Sequence, residues 1–382
     1  MNRYLYKHVI KDLKKKMVFI TGPRQVGKTF FSKQIMLEFK NPQYFNFDNV
    51  EDKLIIQQMI WRKDSDLLVF DEIHKKKDWK NFIKGVFDSK NINQSILVTG
   101  SARLDTFRQV GDSLAGRYYH YHLNPFSIKE LKTTLSNYER LEQINNYGGF
   151  PEPLIQSLEI PIEEAEIELK RWQNQYYTDL IREDIFEFSK LREINSMKTL
   201  LELLRSRVGS PLSYSALANL LELSVNTVKK YIEILQSLYI VFLVRPYHKN
   251  VARSILKEPK IYFYDTSYIK GDEGIKLENT VAISLLKHSQ FLYDSKGEKI
   301  ELNYIRTKEG KEIDFCLTKN DAPLNFIEVK LSDKNISRNL KYFIEKFPNV
   351  KGIQLVHNLH QERDESGISV LRASDWLMEI SA

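Results

Sequence analysis

Eight consecutive residues, Gly22-Pro23-Arg24-Gln25-Val26-Gly27-Lys28-Thr29, have the types and spacing needed to hold a nucleoside triphosphate. In such a loop the backbone N–H groups and the following helix N-terminus face the phosphates. The lysine reaches the β- and γ-oxygens, and the threonine hydroxyl turns to Mg²⁺. The apolar run Met17 to Ile20 precedes the loop, and a helix is predicted from Phe30 to Phe39, so the loop lies between a strand and a helix. ATP or GTP is the expected ligand, with Mg²⁺. Three further runs, Tyr44 to Asp48, Asp66 to Asp71 and Ser95 to Gly100, are expected to be buried parallel strands. The second ends Phe70-Asp71-Glu72, which suits Asp71 to the Mg²⁺ shell and Glu72 to orienting and polarising the attacking water. Thr99 or Ser101, where the third run ends, can sense a γ-phosphate. Arg117, before the aromatic stretch Tyr118 to Tyr121, is either a surface arginine or a finger reaching the γ-phosphate in a neighbouring subunit.

A second chemical grouping lies near the C-terminus. Lys311-Glu312-Ile313-Asp314-Phe315 reads as a strand, and after a turn a second strand ends Phe326-Ile327-Glu328-Val329-Lys330. Period-2 geometry puts Glu328 and Lys330 on one face. With Glu278 on an upstream helix, this pattern resembles the PD-(D/E)xK phosphodiesterase core. The resemblance implies that Asp314, Glu328 and Glu278 hold one or two Mg²⁺ ions, which prefer hard oxygen ligands. Lys330 would then position water or neutralise charge on the scissile phosphate. The alternatives are an exposed charged strand pair, or a retained fold serving as a binding scaffold.

Between these regions, residues Pro211 to Val244 have helix-turn-helix form. Ser213 can cap a helix through Leu221, and Ser224 can cap a second from Val225 to Tyr239. The second helix exposes Asn226, Thr227, Lys229 and Lys230 near its start, where a recognition helix contacts DNA. A strand begins at Ile240, and Arg245, Lys249, Arg253, Lys257 and Lys260 then face one acid, Glu258. The region reads as a winged helix with a basic wing. DNA contact is the expectation and protein docking the alternative.

These groups need scaffolds. A chain of 382 residues implies about two to three domains. The sequence divides into residues 1–160 (P-loop core), 161–207 (helical lid or connector), 208–260 (winged helix) and 261–382 (nuclease-like domain). In the connector, Leu169, Trp172, Tyr176 and Leu180 recur at helical spacing and read as core. Leu5, Val9 and Leu13 suggest an amphipathic helix packed on the first domain. No apolar run approaches the ~20 residues of a membrane span, and the lysine-rich start has no signal-peptide h-region. The lone cysteine, Cys316, rules out an intrachain disulfide and fits a reducing cytoplasm. A formal charge of +7 is compatible with nucleic acid without establishing it.

Taken in order, Gly22 to Thr29, Phe70-Asp71-Glu72-Ile73-His74-Lys75, Thr99-Gly100-Ser101, Ser113 to Arg117, Pro125-Phe126-Ser127 and Gly148 to Glu152 resemble a family of prokaryotic AAA-type ATPases with a C-terminal domain of unknown function. Tyr262 to Thr266, Glu278-Asn279, Arg306, Asp314, Glu328 and Lys330 extend the resemblance. His74 stands where the family usually has Gln, Phe126 where it has Leu, Ser267 where it has Gly, and Ile305 where it has Trp. The implied fold is α/β: an AAA+-like parallel-sheet core with a helical lid, a winged helix and a restriction-endonuclease-like domain. The expected function is ATP binding and hydrolysis coupled to DNA engagement, with metal-dependent cleavage at the C-terminal site. The alternative is a nucleotide-gated regulatory or protein-remodelling switch that binds DNA or a protein partner without cleaving. A homo-oligomer is compatible with either.

Overall fold

A computed structural model describes residues 3–100, 114–181, 191–248, 257–332 and 335–382. The chain separates into two compact units, one of residues 1–124 with 294–297 and the other of residues 125–293 with 298–382.

The first unit is built on a five-stranded, wholly parallel sheet. Its strands are β1 (Met17–Thr21), β2 (Pro42–Asn46), β3 (Leu67–Asp71), β4 (Ser95–Thr99) and β5 (Tyr118–His122). Their order is β2-β3-β4-β1-β5. Every residue of β1, β3 and β4 is buried, as expected of parallel strands covered on both faces. Strand β2, expected to be buried, is instead a half-buried edge strand starting two residues earlier, at Pro42. An edge position accommodates the missing proline N–H. Helix α1 (Tyr6–Leu13) buries Val9 and Leu13, and Leu5 just before it is buried too. Helices α2 (Lys28–Met36), α3 (Val50–Gln58) and α4 (Trp79–Ser89) connect the strands. Phe19, Phe45, Phe70, Ile83, Val86 and Val98 belong to one core cluster.

The second unit opens with α5 (Asn137–Tyr147), α6 (Pro151–Gln156), α7 (Ile162–Asp179) and α8 (Leu191–Arg205). The aromatic stripe of α7 is core: Trp172 stacks on Tyr176, and both pack against Phe150. Helices α9 (Tyr214–Leu221) and α10 (Val225–Ser237) follow. They begin where their caps predict, because Ser213 accepts from the Ala216 N–H and Ser224 from the Thr227 N–H.

An eight-stranded mixed sheet completes the unit. It comprises β6 (Val241–Pro246), β7 (Lys260–Phe263), β8 (Ile300–Arg306), β9 (Glu312–Lys319), β10 (Ala322–Ser332), β11 (Lys351–Asn358), β12 (Arg363–Glu365) and β13 (Ile368–Arg372). The order is β12-β13-β11-β10-β9-β8-β6-β7. The 24-residue helix α11 (Glu273–Lys296) buries Leu277, Val281 and Leu285. Helix α12 (Arg338–Lys346) shares a core cluster with Phe326 and Val356, and α13 (Ala373–Glu379) follows β13. The strands read as a wing are therefore part of the large sheet: β6 pairs antiparallel with β7 and parallel with β8, placing Arg245 opposite Asn303.

Candidate nucleotide site and C-terminal acidic cluster

The glycine-rich loop leaves β1 at Thr21 and enters α2 at Lys28, two residues earlier than the helix predicted at Phe30. Backbone geometry explains the residue types. Gly27 caps the helix at φ +93°, and Gly22 lies at φ +156° where a Cβ would collide with the Leu123 carbonyl. Gln25, exposed at the loop tip, takes φ +58°, while Val26 is fully buried and anchors the loop. Pro23 is buried and Arg24 half-buried. The Lys28 ammonium donates to the Gly22 carbonyl at 3.0 Å and the Pro23 carbonyl at 2.6 Å, which holds it against the loop.

Asp71 is the hub of the site. Its Oδ1 accepts from Thr99 Oγ1 at 2.6 Å and from the Glu72 N–H at 3.1 Å. Its Oδ2 accepts from Thr29 Oγ1 at 2.8 Å and from the Tyr44 hydroxyl at 2.6 Å. Sheet register brings Thr99 here, since β3 and β4 pair Asp71 with Thr99. Tyr44 has no motif to mark it; β2 pairs it with Val69, two residues before Asp71. Burial and the hydrogen bond to Asp71 push the Tyr44 hydroxyl well above its ordinary pKa, so it stays a donor.

Glu72 follows at φ +55°, a left-handed conformation that turns the chain out of the strand. Burial raises its carboxyl above the usual range, against the pull of Lys28 and Lys75. Lys75 Nζ lies 3.5 Å from Glu72 Oε2 and His74 Nε2 lies 3.7 Å away. Thr29 and Asp71 offer a hydroxyl and a carboxylate side by side, a hard-oxygen pair that fits Mg²⁺. Ser101 lies outside the described residues.

Arg117 sits at the opposite end of the same sheet. Its carbonyl accepts from the Met17 N–H at the start of β1, and β1 pairs Met17 with Tyr118. That is a strand's length, ~13 Å, from the end carrying the loop. Its guanidinium forms a two-point pair with Asp88, at 2.8 and 3.3 Å.

In the second unit, Asn226, Lys229 and Lys230 are exposed on the first turns of α10. The Thr227 hydroxyl is tied to Ser224 Oγ at 2.8 Å. Lys249 and Arg253 lie outside the described residues.

The acids of the C-terminal sheet gather around a residue that sequence reasoning put in the basic wing. Lys260 opens β7 and its side chain is 1% exposed. Its Nζ lies 2.7 Å from Glu312 Oε1 and 3.7 Å from both Glu278 Oε1 and Asp314 Oδ1. The Tyr262 hydroxyl donates to Glu278 Oε1 at 2.7 Å, and the Val329 N–H donates to Asp314 Oδ2 at 2.9 Å. Lys330 pairs with Glu328 at 2.7 Å. Burial and the Asp314 charge push the carboxyls of Glu278 and Glu328 up to about 7.

Among the described residues, the one group of three metal-ligating side chains whose donor atoms all lie within 4.8 Å of one another is His120, His122 and Asp294, in the first unit. Asp314, Glu328 and Glu278 do not converge to that degree. As arranged, the three acids proposed from sequence do not fit a shared Mg²⁺.

A family model described as an AAA domain matches residues 14–132. Two described as domains of unknown function, DUF8612 and DUF4143, match residues 138–270 and 273–376. The uncharacterized protein MJ1544 of Methanocaldococcus jannaschii is 24% identical over 376 residues, covering 90% of this chain and 81% of that protein. MJ1637 of the same organism is 26% identical, covering 92% and 83%. The uncharacterized protein Rv2008c of Mycobacterium tuberculosis is 22% identical, covering 85% and 73%. Among solved structures, the Walker-type ATPase PABY2304 of Pyrococcus abyssi is similar over 72% of this chain and 95% of its own, at 14% identity and a TM-score of 0.44. The RuvB Holliday junction branch migration motor of Thermotoga maritima is similar over 62% and 86%, at 18% identity and a TM-score of 0.29. The parallel sheet, its strand order, the loop and the AAA-domain match together make the first unit an AAA-type ATPase fold, an architecture for binding nucleotide.

Proposed function

We propose that the chain is a Mg²⁺-dependent ATPase whose hydrolysis cycle controls engagement of DNA. The observation that carries this reading is the convergence of Thr29, Thr99 and Tyr44 on Asp71, with Glu72 next in the chain and the Lys28 loop adjoining. Phosphate oxygens compete with the Gly22 and Pro23 carbonyls for the Lys28 ammonium, which then neutralises β- and γ-phosphate charge. Thr29 and Asp71 would hold Mg²⁺, which supplies further neutralisation of the triphosphate. Glu72, its basicity raised by burial, accepts a hydrogen bond from the attacking water and orients it. Thr99 and Tyr44 keep the Asp71 carboxylate aimed. Ser101 would sense the γ-phosphate. Arg117 stabilises transition-state charge in a neighbouring copy, since in its own chain it lies a strand's length from the loop.

DNA is engaged by α10, where Asn226, Thr227, Lys229 and Lys230 face the duplex and Lys249 and Arg253 add phosphate contacts. A second reading, phosphodiester cleavage by Asp314, Glu328 and Lys330, needs a metal that these acids do not fit as arranged. ATPase rate with and without duplex DNA tests the main reading, and a Mg²⁺ or Mn²⁺ cleavage assay run beside it tests the second. Turnover stimulated by DNA supports the main reading. Stimulation by polypeptide and not by DNA replaces it with a protein-remodelling role.

A further inference from the structure

Lys260 lies deeper than any residue of a basic wing should. A cation this buried is tolerated only when its charge is matched, and the match for the lysine of β7 comes from two elements: α11 carries Glu278, and β9 carries Glu312 and Asp314 on one face. We propose that the Lys260 ammonium is the resident cation of this cluster, held by two of the three acids, Glu278 and Asp314, that the PD-(D/E)xK pattern would give a divalent metal, so that the C-terminal sheet holds its acids together without metal.

The distances favour an ammonium. At 2.7 Å, Glu312 makes a charge-assisted hydrogen bond, and at 3.7 Å Glu278 and Asp314 make longer charge contacts. Mg²⁺ instead demands oxygens at about 2.0–2.1 Å from the ion in octahedral array, well inside the distances from these carboxylates to Nζ. Further donors reach the same acids. Tyr262 donates to Glu278, the Val329 N–H to Asp314, and Arg306 reaches Glu312 at 3.3 Å. Gly209, at φ +75°, backs onto the cluster so closely that a Cβ would lie 2.7 Å from Glu278 Oε1. Lysine, arginine, acids and neutral donors thus form one set, three carboxylates held by two cations of this chain. The inference is independent of the nucleotide site, and its failure leaves the ATPase reading untouched.

Mn²⁺ is the probe, with bound metal measured by electron paramagnetic resonance on nucleotide-free, full-length protein. Wild type and Asp314→Asn are expected to bind Mn²⁺ identically. Lys260→Met is expected to gain about one Mn²⁺ per chain, lost again in Lys260→Met/Asp314→Asn, because the acids then need another cation. Mn²⁺ binding by wild type that depends on Asp314 overturns the proposal, as does a folded Lys260→Met protein that gains no site. If Lys260→Met does not fold, Lys260→Met/Glu312→Gln removes the cation with its nearest partner and is read in the same way. If neither folds, thermal melting of wild type and Asp314→Asn with Mn²⁺ or chelator decides. An Asp314-dependent rise in Tm on adding Mn²⁺ rejects the proposal, and its absence upholds it.

Discussion

At the scale of single residues, the proposed function gives Lys28 and Glu72 separate jobs. Lys28, fastened by loop carbonyls, would hold phosphate in the ground state, whereas Glu72, its carboxyl raised by burial, would act on water. Lys28→Ala should therefore weaken nucleotide binding and abolish turnover. Glu72→Gln should bind normally and lose roughly 10²–10⁴-fold in turnover, the usual contribution of a positioned base. Equilibrium binding and single-turnover hydrolysis distinguish the two, and normal turnover in a folded Glu72→Gln protein removes that assignment. The acid cluster makes a pH prediction. Glu278 and Glu328 are raised from the ordinary carboxylate value to about 7, so between these pH values the native state binds more protons than the unfolded chain. Their stabilising contribution is full below the ordinary value and is lost as pH rises through about 7. Denaturant unfolding should thus show stability falling from pH 5 to pH 8 by on the order of 1–3 kcal/mol. Glu328→Gln should flatten that slope, and an unchanged slope would contradict the assignment to Glu328.

At the scale of elements, legibility depends on whether the signal is local. The Ser213 and Ser224 caps sit beside the helices they start, and both helices begin where the sequence predicts. The loop, the apolar strands and the acids at the end of β3 are likewise contiguous signals. Tyr44 and Lys260 were not legible as site residues, because each reaches its acids through sheet register or helix packing between segments far apart in sequence. For Lys260 the sequence signal points the wrong way, since neighbouring basic residues place it on a surface. Helix α10 does present the exposed basic start that the sequence predicts, and its role can be tested as a unit. Neutralising Lys229 and Lys230 together should weaken DNA binding across sequences and lower the logarithmic salt slope by roughly two, about one per lost phosphate contact. A titration series over salt concentration reads this directly, and unchanged affinity and slope would assign α10 to a protein partner.

At the scale of the whole molecule, the chain forms two compact units, and β6 and β7 pair into the sheet of the second. Sequence marks that these strands exist but not which strands they join. The same sheet logic constrains Arg117. In a parallel sheet every strand runs from the same end to the other, so a residue before β5 and a loop after β1 lie at opposite ends. An arginine there lies a strand's length from its own loop, and the proposed role is therefore in another copy. Its partner Asp88 is exposed and holds the guanidinium on the surface. Arg117→Ala should therefore lose ~10³-fold or more in turnover while retaining nucleotide affinity. Asp88→Ala, which frees the guanidinium without removing it, should retain activity. The decisive experiment mixes two inactive proteins, Arg117→Ala with an intact loop and Lys28→Ala with an intact finger. In mixed assemblies some interfaces pair an intact loop with an intact arginine, and ATPase activity should partly return, increasing with protein concentration as the copies associate. No recovery under conditions where the two variants co-elute in one assembly would place Arg117 outside catalysis.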